Sequence, residues 1–301
     1  MRELIEKYCD EYGIPEEDKK VFVDLWEKID KDGETARKFE AAREILLAAD
    51  NDSYDLYSPL LREVDSATGA HEYTTDMLIF LTCVDETRKR YEERGIDLSI
   101  WRDSMGDVAV KYRECLAVYG IPGIFTKGWH CRFFVPNRFW LGRMQYETWV
   151  WDKPYEFHGV KMGDTVIVCH IPSDGKPFDR EARMASYKKA YEFYRDLFPD
   201  GKMAVCTSSW LLFEDHRKFL KGCPNIVSFL DDFEVIVPNR NYEDGHDLWR
   251  IFATPSGNVD LFPTDTALRR SYVEWLRAGN RPGGGFGAFF IDGPGFFVRN
   301  S

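Results

Sequence analysis

Val166-Ile167-Val168-Cys169-His170-Ile171-Pro172-Ser173-Asp174-Gly175-Lys176-Pro177 is an apolar run that gives way to a polar turn, with a helix start just beyond it at Asp179. The apolar part is too short for a typical helix and rich in β-branched residues, so it reads as a buried strand. Downstream, Met184, Tyr187, Tyr191, Tyr194 and Phe198 recur at steps of three and four, which predicts a helix over about 179–198 with one buried stripe. A second unit of the same kind follows, Val205-Cys206-Thr207-Ser208-Ser209-Trp210-Leu211-Leu212. If the two strands are parallel neighbours, their C-terminal ends lie side by side, the usual place for a ligand crevice in such sheets.

The flanking sequence extends this pattern. Strand-like runs occupy 143–151, 155–158, 165–171, 203–207, 233–237 and 286–291, with Gly163-Asp164 as a turn between two antiparallel strands. Helices are expected near 211–220 and over 265–278, the latter with Thr264 as N-cap and Gly279 as stop, and Cys223-Pro224-Asn225 reads as a turn. Strands and helices thus mix as β-β-β-α-β-α-β-α-β, an α/β or α+β sheet domain. Upstream of Gly120-Ile121-Pro122-Gly123 the chain reads as helix after helix, with long runs at 36–49, 56–66, 73–93 and 99–118. Two domains follow from this change of character: an all-helical one over 1–120 and a sheet domain over 121–301.

Charge supports the division. Residues 1–120 carry 17 basic and 29 acidic side chains (net −12), leaving 23 and 22 of the total 40 and 51 for the rest (net +1). A net charge of −11 argues against a nucleic-acid binder, and the apolar stretch Met77–Val84 is far shorter than the roughly 20 residues of a membrane span. Seven cysteines without a Cys-x-x-Cys pair, most of them in apolar stretches, fit a reducing, cytoplasmic setting. The histidines at 71, 130, 158, 170, 216 and 246 lack metal-ligand spacing, so no metal is expected. Gly283-Gly284-Gly285-Phe286-Gly287-Ala288 matches the letters of a dinucleotide fingerprint, yet no βαβ unit fits after it; it reads as a glycine approach to a final strand.

Three places carry candidate chemistry. On a strand, Arg143, Gln145 and Glu147 share one face, and Glu147 there is a candidate general base, the alternative being a solvated or mutually paired sheet face. The turn after His170 offers main-chain N–H groups, Gly175 and Lys176 to an anion, the alternative being an ordinary strand-to-helix connection. Cys206, at the end of the second strand, is a candidate thiol nucleophile with His170 as its base.

Leu-Gly-Arg-Met-Gln at 141–145, Cys-His-Ile-Pro at 169–172, Ser-Trp-Leu-Leu at 209–212, Pro-Asn-Ile at 224–226 and Phe-Pro-Thr-Asp-Thr-Ala-Leu at 262–268 resemble bacterial two-domain acyltransferases. In that family a helical N-terminal domain precedes a GNAT-like domain, GNAT being the N-acetyltransferase superfamily. The resemblance implies an α+β fold with a mixed sheet flanked by helices, coenzyme A or acyl-coenzyme A as cosubstrate, and an amine of a small molecule or peptide as acceptor. It implies cofactor contacts at Ile171, Ser173, Gly175, Lys176 and Ser209, catalytic roles for Glu147 or His170, and main-chain donors near His170 and Ile171 for the oxyanion. Two other readings stand beside it: a non-catalytic binding or assembly protein on the same fold, and a Cys206-dependent transferase or hydrolase.

Overall fold

The computed structural model describes residues 1–48, 54–239, 247–293 and 297–298; His246 and the end of the helical run 36–49 lie outside them. The chain divides into two compact units, Met1–Trp140 and Leu141–Ser301. Residues 121–140, grouped above with the sheet, therefore pack with the helices.

The first unit contains α1 (Arg2–Glu11), α2 (Glu16–Lys31), α3 (Gly33–Ala48), α4 (Tyr54–Thr68), α5 (Glu72–Leu81), α6 (Val84–Glu93), α7 (Leu98–Met105), α8 (Asp107–Tyr119) and the short α9 (Cys131–Phe134), with strand β1 (Arg138–Leu141) at the division. Every residue from Thr74 to Leu81 is buried, so α5 runs through the middle of the bundle, its one buried carboxylate, Asp76, paired with Arg62. The stretch 73–93 is two helices, not one. Thr82 Oγ1 donates to the Ile79 carbonyl (2.8 Å), and Arg43 Nη2 donates to the Thr82 carbonyl (2.9 Å), holding the break from a distant helix. The stretch 99–118 is likewise split, at Gly106.

His130 is fully buried in this unit, with its Nε2 3.3 Å from Asp107 Oδ2. Burial pushes its pKa down to about 4, and nearby Lys111 and Arg138 act the same way while Asp107 opposes them. A histidine held neutral by folding contributes stability above its unfolded pKa, near 6.5, and loses it as pH falls towards 4. Relative to His130→Asn, the wild-type protein is expected to lose about 2–3 kcal/mol between pH 6.5 and 4, read from paired urea titrations. Parallel pH profiles of the two proteins contradict the assignment.

The second unit is a sheet with helices: β2 (Met144–Val150), β3 (Thr165–His170), α10 (Arg180–Tyr194), β4 (Lys202–Ser209), α11 (His216–Phe219), α12 (Pro224–Leu230), β5 (Glu234–Asn239), α13 (Leu248–Phe252), α14 (Ala267–Arg277), β6 (Gly284–Asp292) and β7 (Phe297–Val298). Strand order is β2-β3-β4-β6-β5, with β7 beside β6. β3 and β4 are parallel and the other pairings antiparallel, so the sheet is mixed. α10 covers one face: Tyr187 stacks edge-on against Phe289 (4.9 Å), and Ser186 Oγ receives the Met144 N–H (3.0 Å). Trp151 and Phe157 lie over the other face, against Val166, Ala204, Cys206, Ala288 and Phe290.

Several local expectations are revised. The run 155–158 forms only a bridge, Phe157↔Val160. Pro224 opens α12 from its first position, where its missing N–H costs nothing, so 223–225 is a helix start and not a turn. The helix near 211–220 is a 3-10 turn, Trp210–Leu212, followed by the short α11. The cap of α14 is Thr266, whose hydroxyl accepts the Arg269 N–H (3.2 Å), and not Thr264, whose carbonyl instead accepts from Arg270.

The glycines at 283, 285 and 287 have a packing reason. A Cβ on Gly283 would lie 2.4 Å from the Phe213 ring, on Gly285 2.9 Å from the Leu212 carbonyl oxygen, and on Gly287 2.8 Å from the Glu234 carbonyl oxygen. The 3-10 turn and β5 press directly on β6 where these residues have no side chain.

Candidate functional site

The β3–β4 ladder is short. Its register partners are Ile167↔Val205 and Val168↔Cys206. Beyond them β3 stays paired to β2 as far as Gln145↔His170, and β4 stays paired to β6 as far as Ser209↔Gly285. Each strand thus keeps its outer antiparallel partner to its C-terminal end, while across the two strands the Cys169 thiol still lies against Thr207.

Residues paired across a sheet point to the same face. Glu147↔Val168↔Cys206↔Ala288 forms one such row, and Gln145↔His170 the next towards the strand ends. His170 and Glu147 therefore share a face diagonally, and His170 Nε2 donates to Glu147 Oε1 at 2.7 Å. The Glu147 side chain is 4% exposed and that of His170 21%, so the carboxylate lies beneath and the imidazole reaches outward. A donor at Nε2 puts the basic lone pair at Nδ1.

Cys206 is placed otherwise. It shares the Glu147 row but is 4% exposed among Trp151, Phe157 and Phe290. Burial pushes its thiol up to about 12, with Asp152 and Glu147 adding to the shift and Lys153 opposing it. A nucleophilic thiol needs the reverse, an electropositive and accessible setting. Cys206→Ala is expected to leave the protein folded and to cost on the order of 1 kcal/mol in stability. Rapid alkylation of Cys206 in the folded protein, absent from Cys206→Ala, would contradict this placement.

The turn after β3 is built around Arg143. Continuing the β2–β3 register by two pairs sets Arg143 opposite Pro172, and the guanidinium reaches the Pro172 carbonyl through Nη1 (3.1 Å) and the Pro177 carbonyl through Nε (3.0 Å). Asp174 turns inward, 4% exposed, with Oδ1 3.3 Å from Arg143 Nη1 and accepting the Lys176 N–H at 3.2 Å. Ser173, Gly175 and Lys176 are exposed, and Gly175 has φ +76° with open space where a Cβ would stand. The left-handed Gly175 turns the chain sharply at the tip, with the Lys176 N–H beyond it already donated to Asp174. The N-terminus of α10 is likewise capped: Asp179 accepts the Ala182 N–H (2.9 Å). Ser209 Oγ accepts the Leu211 N–H (3.1 Å) and caps the 3-10 turn beyond β4. Among the described residues, no group of three or more His, Cys, Asp or Glu side chains is arranged to hold a metal, and no helix is long and apolar enough to cross a membrane.

The Glu147–His170 bond was not legible from either residue alone; the β2–β3 register makes it. Arg143 is visible in the sequence only as a member of a polar row, because two of its partners are main-chain oxygens and the third, Asp174, is distant along the chain.

Comparison with known proteins follows the same division. Residues 139–289 match the family model of the GNAT-like C-terminal domain, and residues 3–135 that of the N-acyltransferase N-terminal domain. No curated protein matches the chain. Among solved structures, an acyltransferase in complex with decanoyl-CoA is similar with a TM-score of 0.76 at 20% identity, over 96% of this chain and 87% of that one. An acyltransferase mutant in complex with octanoyl-CoA gives 0.64 at 19%, over 96% and 99%. An acyltransferase in complex with CoA and 10C-teicoplanin gives 0.63 at 19%, over 94% and 98%.

Proposed function

The chain belongs to the family of the GNAT-like C-terminal domain, and from that premise we propose that it is an acyl-coenzyme-A-dependent N-acyltransferase acting on an amine of a small molecule or peptide. The observation that carries this reading is the short parallel β3–β4 ladder with the Glu147–His170 pair towards its C-terminal end. Relatives of the same fold are described in complex with decanoyl-CoA, octanoyl-CoA and a teicoplanin, which supports a thioester carrier and a peptide-like acceptor.

In this reading the thioester enters between β3 and β4 while the pyrophosphate rests on the turn Ser173–Lys176, with Ile171 and Ser209 flanking the pantetheine arm. His170 Nδ1 takes a proton from the acceptor ammonium, and Glu147 stabilises the imidazolium that forms. The freed amine attacks the thioester carbonyl. Main-chain N–H groups near His170 and Ile171 hold the oxyanion until the carbon–sulfur bond breaks, and the departing thiolate accepts the proton that the attacking nitrogen, now cationic, gives up. Cys206 is assigned to packing beneath this site.

Calorimetric titration with coenzyme A, acetyl-, octanoyl- and decanoyl-coenzyme A tests the reading. Saturable binding of at least one thioester is expected; no binding by any of them retires it.

A further inference from the structure

We propose that Arg143 is the positioning residue of the coenzyme A site, holding the turn 172–177 open to a pyrophosphate by clamping both its ends and drawing the Asp174 carboxylate inward. The inference rests on the function proposed above and deepens it.

Four observations converge. First, Pro172 and Pro177 have no N–H to anchor the turn, so its ends are fixed through their carbonyls, and one guanidinium takes both, at 3.1 and 3.0 Å. Second, the Asp174 side chain is buried with Oδ1 3.3 Å from Arg143 Nη1, while Lys176 Nζ lies 3.6 Å from Oδ2. A carboxylate in a phosphate-binding turn repels its ligand; folded under the turn and paired with Arg143, it takes the Lys176 N–H and leaves the exposed Ser173 and Gly175 on the outer side. Third, the Phe178 ring lies 5.1 Å from the Arg143 guanidinium and 5.4 Å from that of Arg183, which also donates to the Phe178 carbonyl (3.1 Å). The turn therefore leaves Arg143 into a segment that is itself fixed, and releasing Arg143 frees only the turn. Fourth, Arg143 immediately precedes β2, the strand that carries Glu147, so the clamp enters directly into the strand of the candidate site.

Lysine cannot replace this geometry, since an ammonium is a point donor without the planar fork that spans two carbonyls. Arg143 touches neither the thioester nor the acceptor in this scheme, and its effect is confined to affinity for the nucleotide end.

The test compares octanoyl-coenzyme A with octanoyl-pantetheine, which lacks the pyrophosphate, by calorimetry on the full chain. Arg143→Ala is expected to weaken octanoyl-coenzyme A by about tenfold or more and octanoyl-pantetheine by less than about twofold, as the loss of charge-assisted contacts at one end requires. Arg143→Lys, which keeps the charge and protects the fold, is expected to fall between wild type and Arg143→Ala. Adding Asp174→Asn to Arg143→Ala is expected to recover part of the loss, because it removes the carboxylate that the turn then exposes. Equal weakening of both thioesters shows a merely structural role and overturns the proposal, as does unchanged octanoyl-coenzyme A affinity in either Arg143 variant. A wild-type protein that binds neither thioester brings down the function reading itself, and this proposal with it.

Discussion

His170→Gln is expected to lower the rate of acyl transfer by about 10²- to 10⁴-fold while leaving the affinity for acyl-coenzyme A within about twofold, the range for removing a general base. Glutamine is the informative replacement because its amide can still donate to Glu147. An alanine would strand a carboxylate that is 4% exposed, and its desolvation cost would blur the reading with instability. Glu147→Gln is expected to have a smaller effect, about 10- to 10²-fold, since it removes the charge that stabilises the imidazolium and not the base. Measured as thiol release with an amine acceptor, an unchanged rate in His170→Gln would remove the imidazole from the mechanism.

The second large effect is on folding. Gly283→Ala is expected to destabilise the sheet unit by about 3 kcal/mol or more, seen as a lower midpoint in urea or heat. Its new Cβ would lie 2.4 Å from the Phe213 ring and 2.6 Å from the Asn239 carbonyl oxygen, so both the aromatic side chain and the neighbouring strand would have to move. Gly287→Ala meets the Glu234 carbonyl oxygen at 2.8 Å and Leu212 Cδ1 at 3.0 Å, and a smaller loss is expected there. A Gly283→Ala protein as stable as wild type would contradict the close approach of β5 and the 3-10 turn to β6.

These two effects mark what the amino-acid order reveals and what it leaves hidden. Alternation of apolar and polar residues identifies β2, and the β-branched run identifies β3, because those signals are local. The change from helices to strands was equally visible. Residues 121–140, however, belong with the helices because of contacts that composition does not encode. The break between α5 and α6 depends on Arg43, thirty-nine residues from Thr82. The glycines of β6 look like flexible punctuation until β5 and Leu212 are seen against them. Pro224 serves equally well in a turn or at the first position of a helix, and only the packing of α12 decides. The Glu147–His170 bond depends on the β2–β3 register, a choice of one residue in either direction that would separate the pair.

Parallel pairing of β3 with β4 could be stated only as a condition, since two strands separated by a helix suggest adjacency without showing where their ladder stops. That stopping point, after Val168 and Cys206, is what gives the chemistry a place. Its most direct test is a crystal structure of the protein soaked with octanoyl-coenzyme A. The thioester carbonyl is expected between the ends of β3 and β4, within hydrogen-bonding distance of main-chain N–H groups near Ile171, with the pyrophosphate on Ser173–Lys176. A cofactor bound elsewhere, or β3 and β4 closed on each other through His170 and Ser208, would contradict the placement of the site.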